Sequence, residues 1–403
     1  MKKTVEEEFW VPEDVISEVL FLLPVKTLIR FRGVCKRWRD IISSRDFVLL
    51  HYHSSFKRRK PDVLDVMMLS QSKCSGFHTH RLTVDIKTLG SKHLKMQEEQ
   101  VYQPPQIRQI GPDLFHNYFN MFGDIMLGPN LGVYCIICTR TKNIALWNPA
   151  TREAKILPRP LPSLRAAEYY VAGYAFGDFK FLRIISPYCP VSKIILQLYT
   201  CHTNSWRSIE TDFAGPCTVM SHGRGGVELN QIVHWCVCIG SSKQPHVRPF
   251  IFTFNLRDET CGIINLPSQL VVADNPIFTR EFYLLAITGD RYLTLVVPAK
   301  NNFTDIWMMM RSSSSNNWIK HSRVEMKLKM PSAIAEYWND FCREIVLFGP
   351  SMNGGRDLPL MIKGVSHKFP SWEKGRKKGI EGFFNFIRVV HYEESLITLN
   401  SQF

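Results

Sequence analysis

The residue types best suited to chemistry in this 403-residue chain are its cysteines and histidines. Cys135-Ile136-Ile137-Cys138 has the spacing of a metal-chelating pair, and Cys236 with Cys238 would complete a four-thiolate zinc site. The flanking residues argue otherwise. Val133 to Ile137 is a strand-forming run, and strand residues three apart face opposite sides. These cysteines read instead as small buried hydrophobes. Cys74, His78 and His80 are ligand types in a predicted loop, but no fourth partner is assured. The sequence holds no phosphate-binding G-x-x-x-x-G-K-[ST], no H-E-x-x-H and no G-x-S-x-G. Its nearest approach to the last, Gly349-Pro350-Ser351-Met352-Asn353, lacks the final glycine. The expectation is a chain with no catalytic residues, no metal and no cofactor.

Binding chemistry is the alternative. Lys57-Arg58-Arg59-Lys60 and Lys374-Gly375-Arg376-Lys377-Lys378 are dense basic runs. Each fits a nuclear signal or an anion-binding patch, and equally a solvated linker or loop. Nucleic acid would want aromatics interleaved with the charge, and only Phe56 and Trp372 lie close, so it is not the expected partner. Trp147, Trp206, Trp235, Trp307 and Trp318 read as packing residues. Asn148-Pro149 and Asp258-Glu259 read as turn chemistry.

The elements behind these residues come from composition and pattern. Hydrophobic residues at 45% and charged residues at 21% suit a globular chain, and this length suits two domains. The apolar run Val19 to Val25 is too short for a bilayer and follows Glu6, Glu7 and Glu8, so neither membrane nor secretion is expected. Eleven scattered cysteines fit a reducing compartment, cytoplasmic or nuclear. The net charge of +14 is uneven. Residues 1–25 carry −4, residues 26–60 carry +9, and the remainder carries +9.

Residues 12–23 place Val15, Ile16, Val19, Leu20 and Leu23 at helical spacing behind Pro12, with Glu13 and Asp14 in the first turn. Pro24 ends that helix. A second helix is predicted over 25–32 and a third over 34–42, the third carrying Trp38, Ile41 and Ile42. A short fourth helix could start at Ser44.

These residues carry a resemblance. Pro12-Glu13-Asp14, Leu23-Pro24-Val25-Lys26, Arg30-Phe31-Arg32, Val34-Cys35-Lys36-Arg37-Trp38, Ile41-Ile42-Ser43 and Phe47-Val48 together resemble the F-box in its plant form. Val11 stands where leucine is usual, and Gly33 where cysteine is common. The resemblance implies a three-helix module over residues 10–55 that docks a Skp-type adaptor and, through it, a cullin scaffold. Its apolar docking candidates are Pro12, Val15, Ile16, Val19, Leu20, Leu23, Pro24, Val25, Leu28, Phe31 and Trp38. Some of these must instead hold the helices together.

From residue 61 short β-branched and aromatic runs alternate with polar turns. A strand–turn–strand unit recurs as IALWNPATREAKILP (144–158), ILQLYTCHTNSWRSIE (195–210), FIFTFNLRDETCGIINLP (250–267), IWMMMRSSSSNNWIKHSR (306–323) and PLMIKGVSHKF (359–369). Its anchors Trp147, Tyr199, Phe254, Met308 and Ile362 are 52, 55, 54 and 54 residues apart. That period holds four short strands, the content of a propeller blade, with a β-sandwich as the alternative. RLTVDIKT (81–88) is a less regular copy. Leu146-Trp147-Asn148-Pro149-Ala150-Thr151-Arg152, Asn204-Ser205-Trp206-Arg207, Leu229-Asn230 leading to His234-Trp235, and Glu394-Ser395-Leu396 resemble the F-box-associated domain. GYAFGDFKFLRII (173–185) is shorter than that family's usual version.

The expected fold is therefore α plus all-β, with helices followed by a propeller-like body over residues 61–400 closed by a C-terminal strand near Phe386 to Leu399. The resemblance implies the substrate-recognition subunit of a Skp–cullin–F-box ubiquitin ligase, which brings a target protein to the transfer machinery and is no enzyme itself. An acidic target would meet Arg224, Lys374, Arg376, Lys377 and Lys378. Two rival readings are a propeller enzyme with a central metal and a basic nucleic-acid-associated protein.

Overall fold

Two prolines and two small caps divide the start of the chain into helices. In the computed structural model these are α1 (Glu13–Phe21), α2 (Val25–Phe31), α3 (Lys36–Ser43) and α4 (Arg45–Lys57). Pro12 and Pro24 occupy the caps of α1 and α2, where a missing N–H costs nothing. Cys35 is extended and accepts the Trp38 N–H on its sulfur, so α3 starts later than predicted. Ser44 closes α3 by donating to the Ile41 carbonyl and caps α4 by accepting from Phe47 N. The fourth helix is thus a full element of thirteen residues, longer than the short one expected. Its Phe47 and Val48 close the core that Leu20, Val25, Leu28 and Ile42 begin.

The structure describes residues 11–58, 63–72, 76–85, 96–105, 107, 125–137, 142–161, 166–175, 177–187, 194–211, 217–219, 226–239, 249–270, 283–286, 292–298, 303–311, 316–325, 336–339, 344–348, 359–362, 365–368 and 384–399.

Among the described residues the body forms six antiparallel sheets, the blades of a propeller. The first contains β1 (Val63–Ser72), β2 (Gly76–Asp85) and β3 (Met96–Gln100). The second contains β4 (Ile125–Asn130), β5 (Val133–Ile137), β6 (Ile144–Asn148) and β7 (Glu153–Ile156). β8 (Ala166–Ala175), β9 (Asp178–Pro187), β10 (Ile195–Thr200) and β11 (Ser205–Ile209) make the third. In the fourth, β12 (Cys217–Val219) and β13 (Val227–Leu229) both pair with β14 (Ile232–Ile239), followed by β15 (Pro249–Asn255) and β16 (Cys261–Asn265). The fifth is β17 (Tyr283–Ala286), β18 (Leu293–Pro298), β19 (Phe303–Arg311) and β20 (Asn316–Glu325). The sixth is β21 (Glu336–Asn339), β22 (Glu344–Phe348), β23 (Pro359–Ile362) and β24 (Val365–Lys368).

Each recurring unit of the sequence supplies the third and fourth strands of a blade. Trp147, Tyr199, Phe254 and Met308 are all buried on third strands, as close packing between blades requires. Two outer-strand tryptophans repeat one contact. Trp206 Nε1 donates to the Pro158 carbonyl at 2.8 Å, and Trp318 Nε1 to the Asn265 carbonyl at 2.9 Å, each reaching the preceding blade. Within the third blade, buried Arg183 meets Glu168 at 2.7 Å and Gln197 at 2.7 Å, and Lys142 of the second blade reaches the same carboxylate. Burial beside that carboxylate pushes the Tyr170 hydroxyl far up.

β25 (Phe384–His391) closes the ring. It pairs with β1, Met67 opposite Val390 and Met68 opposite Val389, and so takes the innermost place in the first blade. The first blade therefore joins the two ends of the body and leaves β1 no free inner edge. The closing strand is shorter than predicted. Residues 392–399 leave the sheet as a buried tail, with Tyr392, Ser395, Leu396, Ile397 and Leu399 all inside.

A chain ending at residue 383 lacks this strand. It is expected to lose the single cooperative melting transition of the body in calorimetry. Unchanged melting would show that the ring does not depend on β25.

Candidate functional site

The apolar residues of the helical head divide into an inner and an outer set. Leu20, Val25 and Leu28 are buried in one continuous cluster with Ile42, Phe47 and Val48. Ile16, Leu23, Phe31 and Trp38 are half-buried and pack against that cluster. Pro12, Val15, Val19 and Pro24 are exposed. Of the eleven candidates, then, four are open to a partner, four offer part of their surface and three are committed to the head's own core.

Helical spacing explains the division. Val15, Val19 and Leu22 follow one another at intervals of four and three and line one side of α1 and its C-cap, while Ile16, Leu20 and Leu23 face the core. Val19 is 56% exposed and Leu22 69%. Leu22, Val34 and Leu50 are exposed apolar residues absent from the predicted set. The signal for Leu22 was its place three residues after Val19. A row of unburied valine and leucine on a short helix is the surface a protein partner can dehydrate.

The head sits on one end of the propeller, over the β4–β5 and β6–β7 turns of the second blade and the β8–β9 turn of the third. Leu131 of the β4–β5 turn, Ala150 of the β6–β7 turn and Cys201 after β10 all pack against the shared apolar cluster. The tight β8–β9 turn turns on Gly177 at φ +82°, and a side chain there would strike the Arg45 guanidinium at the start of α4. This is the segment whose sequence looked trimmed. Arg45 also holds the Tyr174 hydroxyl.

Between head and body runs the tail. Asn148 of β6 is fully buried, and its Nδ2 donates to the carbonyls of Ser395 and Ile397 at 3.2 and 2.8 Å and to the Ser395 hydroxyl. Its Oδ1 accepts from Ala150 N at 3.0 Å and so also builds the β6–β7 turn. The turn reading of Asn148 therefore holds, with a second task added. Glu153 Oε2 accepts Leu399 N at 2.6 Å, the Tyr134 hydroxyl accepts Glu393 N at 3.0 Å, and Arg81 pairs with Glu394 at 2.9 Å. Gly132, at φ +74°, leaves room for Ser395, whose Oγ would lie 2.8 Å from an added Cβ. From the head, Arg32 Nη2 donates to the Leu396 carbonyl at 3.1 Å and the Tyr52 hydroxyl donates to Glu393. Burial lowers the Arg32 pKa, opposed by the nearby Glu153 carboxylate, which burial in turn raises.

The candidates for chemistry sit elsewhere. Cys135 and Cys236 are buried on strands, and burial pushes the Cys236 thiol up to about 12 and that of Cys135 well above its usual value. Both sit as small hydrophobes packed among strand residues. Cys74 and Cys138 lie outside the described residues, as does the side chain of His78. Among the described residues no group of three or more His, Cys, Asp or Glu side chains could hold a metal ion, and no helix is long and apolar enough to cross a membrane. Arg224, Lys374, Arg376, Lys377 and Lys378 also lie outside the described residues. The last four fall between β24 and β25. β25 runs into the tail beneath the head, so it begins roughly 25 Å from there, the length of eight extended residues.

Comparison with known proteins follows the same division. Residues 10–50 match the model of the F-box domain, and residues 133–399 match that of the F-box associated beta propeller domain. A putative F-box protein of Arabidopsis thaliana is 23% identical over 267 residues, which are 64% of this chain and 66% of that one. An F-box/kelch-repeat protein of the same plant is 25% identical over 337 residues, 79% of this chain and 82% of that one. A further putative F-box protein is 27% identical over 301 residues, 70% of this chain and 66% of that one. The match thus spans just under two thirds of the first and third of these relatives.

One buried histidine makes the head sensitive to acid. His51 Nε2 meets the Leu23 carbonyl at 2.8 Å, its ring stacks on Phe47, and Phe21 packs edge-on. Burial lowers its pKa, the Leu23 carbonyl opposes that, and nearby Arg58 adds to it. A histidine depressed in the folded state contributes stability that is present above its unfolded value of about 6.5 and lost as pH falls through the folded value. The head is expected to melt at lower temperature as pH falls from 7 to 5. In a His51→Gln variant that slope should flatten, as followed by the circular dichroism of the helices.

Proposed function

The chain belongs to the family of plant F-box proteins that carry an F-box associated β-propeller domain, and on that premise we propose that it is the substrate-recognition subunit of a Skp–cullin–F-box ubiquitin ligase. Proteins of this family are in general non-catalytic adaptors, and recognition of a substrate within such a ligase is their general role. The finer reading names the surfaces. The exposed side of α1, with Val15, Val19 and Leu22 at its centre, docks the Skp-type adaptor, which connects to the cullin. The observation that carries this reading is the exposure of that stripe while the opposite side of α1 supplies the head's core.

The target protein is held by the propeller. The head and the tail occupy the turns of the second and third blades, which leaves the rim and the opposite end to the target. That opposite end is where β25 starts, and the basic run Lys374 to Lys378 precedes β25 in the sequence. An acidic target would be drawn to it, faster at low salt than at high. Work is done by proximity. Holding target and charged conjugating enzyme on one scaffold raises the effective concentration of the reacting amine without any chemistry by this chain. The reading further places the protein in the cytoplasm or nucleus, where such ligases meet their targets.

Two substitutions separate docking from folding. Val19→Glu adds a charge on the open side of α1. It is expected to abolish adaptor co-purification while helix content and melting remain those of the parent. Leu20→Asp buries an unpaired carboxylate in the core, which costs several kcal/mol, and should melt the head itself. Adaptor capture by Val19→Glu at the parent level would remove the docking assignment.

A further inference from the structure

The chain's only covalent connection from head to body passes through residues 59–62. Yet a second physical connection exists, and it comes from the far end of the sequence. The tail after β25 makes hydrogen bonds in both directions. Toward the body it is held by Asn148, Glu153, Tyr134 and Arg81. Toward the head it offers the Leu396 carbonyl to Arg32 and the Glu393 carboxylate to Tyr52. Its Leu396, Ile397 and Leu399 lie in the same apolar cluster as Leu20, Leu28 and Val48 of the head.

Two further polar contacts link head and body among the described residues, Arg45 to the Tyr174 hydroxyl and a weaker surface pair. Lys26 meets Glu99 at 2.9 Å, but both side chains are more than half exposed, and such pairs contribute little in water. Arg32 and Tyr52, by contrast, donate to groups inside the interface, one with a charged donor and one to a charged acceptor. Bonds of this type are the stronger ones. Arg32 lies in the turn after α2, and Tyr52 lies midway along α4. Gripping two separate elements fixes an orientation, whereas one contact would leave a pivot.

We propose that residues 392–399 act as a strap that fixes the helical head in one orientation on the propeller, with Arg32 and Tyr52 as its two positioning residues on the head. The strap is made possible by ring closure, because β25 delivers the tail directly beneath the helices. Neither positioning residue belongs to the exposed stripe of α1, so orientation and docking are separable. The importance of the strap for ubiquitin transfer rests on the function proposed above. Its existence does not, since it is a property of the free chain.

The linker supplies a direct readout, because Lys57, Arg58 and Arg59 are trypsin sites next to the head, whereas Lys60 precedes Pro61 and resists cleavage. Full-length protein is compared with an Arg32→Met/Tyr52→Phe double variant and with a chain ending at residue 391, which keeps β25. Limited trypsin cleavage in the linker should run roughly tenfold faster in the double variant, which loses two charge-assisted hydrogen bonds, and faster still in the shorter chain, which loses the whole strap. Small-angle scattering should show a larger radius of gyration, and the melting transition of the body should persist in the double variant. Lys26→Ala is the control and should cleave at the parent rate. Unchanged cleavage and scattering in the double variant would overturn the strap, whatever the truncated chain does. Adaptor capture is read in parallel. A parent chain that captures no adaptor would count against the proposed function and leave the strap standing, while the double variant should still capture it.

Discussion

The side-chain amide of Asn148 is the point on which the architecture turns. It is wholly buried, and a buried amide left without partners costs about 1–3 kcal/mol per unmet group. Here both ends are met. The oxygen shapes the turn between β6 and β7, and the nitrogen holds the backbone at Ser395 and Ile397. One side chain thereby ties the second blade to the chain's last described segment, 247 to 249 residues away. The seat of the head, the position of the tail and the closure at β25 are all constrained by where that segment lies.

Much of the fold was visible as periodicity. A period near 54 residues and a large apolar residue before each turn follow from one requirement, that every blade bury the same strand against its neighbour. Trp147, Tyr199, Phe254 and Met308 meet it on third strands. The copy around residues 81–88 looked irregular for a reason now apparent. Ten residues separate its two strands, β2 and β3, where four or five join the third and fourth strands of the next four blades.

Other features had no local signature. The hydrogen bonds of the tail join residues hundreds of positions apart, and no spacing rule reaches that far. Glu394-Ser395-Leu396 resembled a family motif, but nothing in the residues themselves revealed that Asn148 was its partner. The docking surface was half legible. Helical spacing separates Val15 and Val19 from Ile16 and Leu20, yet it does not say which row faces inward. Burial of Phe47 and Val48 from α4 against Leu20 decides that, and α4 was the helix whose extent the sequence understated.

Ring closure by β25 also has a consequence for how the protein is made. More than 300 residues separate the end of β1 from the start of its partner β25. At about 5–20 residues per second, a ribosome needs roughly 15–60 s to cross that distance. Throughout that interval β1 presents an unpaired row of amides and carbonyls, the kind of edge that recruits other strands. The nascent head also lacks its seat, because Leu396, Ile397 and Leu399 have yet to be translated. Emerging chains on one polysome are therefore held near each other with open edges, and a chaperone that covers β1 until translation passes residue 391 would govern how much protein the cell obtains.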